Sequence, residues 1–115
     1  MSSINDMRKK MDVLKRSINE QDTSYHGTAK EDVSKDTWMV HQALVSIIEE
    51  VEAMDWYRQR ADDCESDELR QILLHNMREE IEHASMLLEW LRRNDKNFNE
   101  IFGKYIKVEG PIIKD

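Results

Sequence analysis

Residues 66–93 read SDELRQILLHNMREEIEHASMLLEWLRR, and this stretch decides the fold. Leu69, Leu73, Asn76, Glu80, His83, Leu87 and Trp90 recur in it at spacings of 4, 3, 4, 3, 4 and 3. Alternating threes and fours put one residue per turn on a single helix face, whereas a strand would alternate by two. Ser66 can cap the helix start, and Asp67 and Glu68 suit its positive end. Arg92 and Arg93 suit the negative end. The spacing therefore predicts a helix from Ser66 to about Arg93.

Working upstream, Val40, Ala43, Ile47, Glu50, Met54 and Tyr57 form a second stripe stepping by 3, 4, 3, 4 and 3. A competing stripe on the same segment, Val40, Leu44, Ile47, Val51 and Met54, would leave Glu50 at its edge. Gly27 breaks the chain, and Thr28 followed by Glu31 matches a capping box, so this helix is expected to run from there to about Asp62. DDCESDE at 62–68 makes the turn between the two helices. Downstream, Asn94 and Asp95 end the second helix and cap a short segment, KNFNEIFGKYIKV, which EGP at 109–111 stops. Residues 1–22 carry Ile4, Met7, Met11, Leu14 and Ile18, an amphipathic helical extension that either frays or docks. The expected domains are this extension and a hairpin domain over 28–115.

The fold class is all-α: an antiparallel two-helix hairpin with a short C-terminal helix. Each long helix spans about 40 Å at roughly 1.5 Å per residue. Two helices bury one stripe each and leave much apolar surface wet, so a partner must complete the core. Two hairpins making a four-helix bundle is the simplest solution. Composition agrees, with 36% charged residues, three Gly and one Pro among 115. The net charge of −7 disfavours nucleic acid as a partner, because phosphate binding needs a basic footprint. One cysteine, Cys64, excludes an internal disulfide framework and a thiolate zinc site. No bilayer-spanning stretch or signal peptide is evident, so a soluble chain in a reducing interior, with no membrane partner, is expected.

Each stripe carries a carboxylate at its centre, Glu50 in one and Glu80 in the other. Burying a carboxylate is costly unless it is paired, protonated or metal-bound. Neither stripe offers a Lys or Arg. Glu80 and His83, one turn apart, can reach one ion together. A Glu from one helix and Glu-x-x-His from the next is half of a di-iron carboxylate set, and two chains would supply the whole. Oxygen and imidazole donors suit iron or manganese, and zinc is compatible. By spacing alone, Glu49 and Glu52 point about 100° and 200° away from Glu50 and read as surface charges. Glu79 is placed to hold the second ring nitrogen of His83 or to be an ordinary solvated carboxylate. A non-catalytic metal-dependent helical assembly protein is the alternative to an enzyme.

The blocks EEVEAMDWY (49–57), HNMREEIEHASMLLEWLRR (75–93) and the closing EGP resemble, in order, the encapsulated ferritins, the ferritin-like cargo of encapsulin nanocompartments. The resemblance covers roughly residues 41–111. It implies a two-helix chain whose dimer builds a ferritin-like site and closes into an annular decamer. It also implies a ferroxidase that oxidises Fe(II) with dioxygen at a di-iron centre and supplies iron to a mineral inside the encapsulin shell, in the cytoplasm. On this resemblance Glu50, Glu80 and His83 fall on the ferroxidase ligands, and Glu49 and Glu52 on carboxylates that admit metal ions. Trp56 and Tyr57 fall on aromatics beside the centre. Residues 1–22 have no counterpart in the resemblance, and the family usually continues beyond the equivalent of EGPIIKD to a shell-targeting peptide.

Overall fold

The computed structural model describes Ile4, residues 6–10 and residues 28–114. Two long helices, α1 (Lys35–Asp62) and α2 (Asp67–Asn94), pack as an antiparallel hairpin, and a short α3 (Lys96–Phe102) follows. Ile4 and residues 6–10 are helical as the N-terminal stripe implies; Met11, Leu14 and Ile18 lie outside the described residues.

The start of α1 differs from expectation. Thr28 and Glu31 do not form a capping box on it. Lys30–Asp32 form a single 3-10 turn whose N-cap, Ala29, has no side-chain bond. Val33 then adopts extended backbone, and Ser34 caps the helix by accepting from the Thr37 amide at 3.1 Å. A β-branched residue in extended conformation followed by a hydroxyl cap outcompetes a glycine break further upstream. At both ends of α2 the sequence signals hold, but the expected cap on α3 does not form. Ser66 Oγ accepts from the Leu69 amide at 3.2 Å, and α2 ends at Asn94. Asp95 precedes α3 without a side-chain cap; its carbonyl instead accepts from Asn99 N at 2.9 Å. Gly110, at φ +82°, makes the turn in EGP that a side chain would strain.

The turn is held by a residue that periodicity does not single out. Arg70 Nε donates to the Ala61 carbonyl at 3.2 Å, Nη2 donates to the Cys64 carbonyl, and Nη1 pairs with Asp67 at 2.9 Å. One planar fork thereby ties the last turn of α1 and the Cys64 carbonyl of the turn to the start of α2. Arg70→Ala is expected to lower stability by about 1–3 kcal/mol, the cost of unmaking charge-assisted bonds to part-buried acceptors. Urea unfolding of the two proteins at equal concentration measures it. At the far end of α2, Glu89 accepts from Arg92 and Arg93, and these bonds hold its carboxyl at about 2, well below the usual range.

The hairpin core is thin. Its buried apolar residues among those described are Ala43, Ala61, Ala84, Leu73 and Leu91, and Ala53 is buried on a flank of α1. Alanines at the contact let the two backbones approach closely but remove little apolar area from water. On α2 the buried line is Leu73, Ala84 and Leu91, with Met77, Glu80 and Leu87 half-buried along it. The expected seam is therefore split. Leu73 is buried and Asn76, Glu80, Leu87 and Trp90 are half-buried, while His83 and Leu69, the latter 46% exposed, open to solvent. A seven-residue repeat drifts round a straight helix, and a bundle helix also needs a wider stripe than one neighbour can cover. On α1 the competing stripe is excluded from the hairpin contact, since Leu44 and Val51 are exposed. Ile48, Ile72 and Met86 are exposed as well. Among the described residues, no helix is long and apolar enough to cross a membrane.

Candidate metal centre

Glu50 projects from α1, and Glu80 and His83 project from consecutive turns of α2. Donor atoms of all three lie within 4.8 Å of one another. His83 Nδ1 stands 3.3 Å from Glu50 Oε2 and 3.5 Å from Glu80 Oε2. The two carboxylate side chains are mostly covered, whereas the His83 side chain is 45% exposed. The group therefore sits between the helices and opens along the edge of α2. Two carboxylates and an imidazole converging on one point fit a first-row divalent cation, and the number of donors leaves room for more ligands. In the single chain, His83 is a polar neighbour to both carboxylates. A divalent ion would satisfy them with more charge.

The other sequence candidates are placed differently. Glu49 is buried, 6% exposed, although spacing alone made it a surface charge. It lies about 100° round α1 from Glu50, outside the three-residue group. Glu52 is half-buried and also outside it. Tyr57 is half-buried on the stripe that faces α2, two turns from Glu50. Trp56 is half-buried and carries Lys10 Nζ at 4.7 Å from its ring centroid. Glu79 does not support His83: it pairs with His75 at 2.8 Å, one turn back on the exposed surface. His41 packs against Trp38 with ring centroids 5.2 Å apart, and Cys64 lies in the turn with Sγ 3.5 Å from the Ser66 carbonyl. Sequence reasoning missed the Lys10–Trp56 contact, because cation–π pairs between distant segments leave no local pattern.

Comparison with known proteins gives a consistent picture. The sequence model of the EncFtn-like family matches residues 24–109. A Rhodospirillum rubrum protein named encapsulated ferritin-like protein is 56% identical over 72 residues, which are 63% of this chain and 51% of that protein. This chain thus spans about half the length of that relative. A Thermotoga maritima protein named ferritin-like protein is 46% identical over 88 residues, 76% of each chain. A crystal structure of a Nitrosomonas europaea protein superposes with a TM-score of 0.70 at 44% identity, covering 74% of this chain and 93% of the other. An all-helical hairpin, a Glu–Glu–His group at its middle and a match across most of the sequence lead to one conclusion: the chain belongs to the EncFtn-like family.

Proposed function

We propose that the chain is a ferroxidase whose catalytic centre forms between two copies, each giving Glu50, Glu80 and His83. The observation that carries this reading is the convergence of their donor atoms within 4.8 Å, from two helices, on one side of a hairpin whose core is incomplete. The exposed His83 edge leaves room for a second copy to bring the same three residues from the opposite side. Fe(II) is the substrate. Each of two ions loses one electron, and dioxygen takes both with two protons to leave as hydrogen peroxide. The chain's part is positional and electrostatic. Glu50 and Glu80 hold the ions close enough to react with one dioxygen, and their negative charge favours the product Fe(III) over Fe(II). His83 anchors one ion per chain. Glu49 and Glu52 admit cations from outside, and Trp56 and Tyr57 flank the centre.

The same reading places the oxidised iron in a storage mineral inside an encapsulin shell in the cytoplasm, with the dimers closed into an annular decamer. The name of the Rhodospirillum relative and the EncFtn-like match support it. Residues 1–22 are a separate extension of the 28–115 domain.

Anaerobic protein given Fe(II) and then oxygen tests the activity. Expected are oxygen uptake and ferric absorbance well above a protein-free control, together with a shift to larger species on sizing. If Fe(II) and Zn(II) both enlarge the assembly while oxygen uptake stays at background, the chain is instead a metal-dependent assembly protein.

A further inference from the structure

Two flanks of α1 border the stripe that faces α2, and they differ. One carries Leu44, Ile48 and Val51, all exposed. The other carries Glu49, Ala53, Trp56 and Arg60 at spacings of 4, 3 and 4. On this second flank Ala53 is 0% exposed and Glu49 6%. Helix geometry alone gives no reason for the difference, because both flanks turn away from α2.

The chain's own N-terminus meets this second flank. Lys10 lies over the Trp56 ring. Met7, one helical turn earlier, is 3% exposed, so it too is packed. Residues at i and i+3 share a helix face, so one turn of the arm presents both to the body. Arg8, Lys9 and Lys10 make a run of three cations in a chain of net charge −7, and the arm brings this run to a flank that holds a buried carboxylate. The family match begins at residue 24 and so includes Trp56 but not the arm.

We propose that the N-terminal segment around Met7–Lys10 is an in-chain cover for the Glu49–Ala53–Trp56–Arg60 flank, and that it controls the access of divalent cations to Glu49. The second half rests on reading Glu49 as an ion-admitting carboxylate. The cover repels approaching cations through its basic run and withdraws Glu49 from solvent. Lys10 over Trp56 is a cation–π pair between cover and flank, weak enough at an exposed lysine to open without unfolding the hairpin.

The test uses the full chain with fluorotryptophan in place of Trp38, Trp56 and Trp90. Fluorine NMR follows the Trp56 resonance, assigned by Trp56→Phe. Met7→Asp charges a packed position, and Lys10→Ala removes only the cation, so at least one variant retains the native helical circular dichroism. Both should shift the Trp56 resonance and leave those of Trp38 and Trp90 in place. Mn(II) should then broaden the Trp56 resonance at several-fold lower concentration than in wild type. Adding Glu49→Gln should remove that gain. An unmoved Trp56 resonance overturns the cover. A shifted resonance with unchanged Mn(II) sensitivity overturns its control of access. Neither readout needs iron oxidation, so failure of the ferroxidase reading would appear separately, as absent turnover in wild type.

Discussion

Glu80→Ala should reduce Fe(II) oxidation by at least about a hundredfold, the upper end of what losing an outer partner of a metal ligand costs. The reasoning begins with position. Glu80 lies on the line of α2 that faces α1, mostly covered and within 3.5 Å of His83. Two copies would place two such carboxylates in one centre, so a single substitution removes two donors. Fewer carboxylates leave less charge to hold the ions together and less preference for Fe(III). The fold should survive, because a half-buried methyl group there is cheaper than a charge. Glu80→Gln keeps the shape and should lose nearly as much activity. Glu79→Ala, which touches only the exposed His75 pair, should oxidise iron at the wild-type rate. Initial rates of oxygen uptake compare all four proteins. Wild-type turnover by Glu80→Ala would sink the assignment.

The second large effect is on stability. Leu91→Ala should cost about 2–5 kcal/mol, the range for a leucine removed from a packed interior. Leu91 is 1% exposed and is the largest fully covered side chain among the described residues. In a core made mostly of alanines, it and Leu73 supply the bulk of the buried apolar volume. Close-packed helices relax poorly around a lost side chain, so the cavity persists. The loss is a large share of the roughly 5–15 kcal/mol that holds a small domain together. Denaturant midpoints for both proteins at one protein concentration measure it. A midpoint shift worth less than about 1 kcal/mol would mean that the site collapses or that Leu91 is wet in solution.

How far these features could be read from the sequence depended on the range of the physics involved. The turn at 63–66 and the cap at Ser66 were legible, because both are local and polar. The proximity of Glu50, Glu80 and His83 followed from a stripe period and an antiparallel turn. The start of α1 was misread, because Thr28 and Ser34 both look like caps and only the backbone of Val33 separates them. The α2 seam was drawn with His83 inside, since the period alone cannot distinguish a helix that faces one neighbour from one that faces two. Glu49 was placed on the surface because helical spacing sees a single element. It is buried on the side of α1 where Lys10 meets Trp56, a contact between segments some forty residues apart in the chain. Arg70 escaped because two of its three acceptors are backbone carbonyls, which sequence does not distinguish.

The clamp that Arg70 places on the turn has a kinetic consequence. Closing a loop of a few residues costs little entropy, and each contact made beside it shortens the loop to the next. The hairpin can therefore zip upward from Asp63–Ser66, with local contacts preceding distant ones. Glu50 and His83, 33 residues apart, meet about midway in that order. Leu91 and the start of α1 come together only after them. Thermal opening should run in reverse, peeling from the free end, so the three-residue group can remain assembled while Leu91 is already loose.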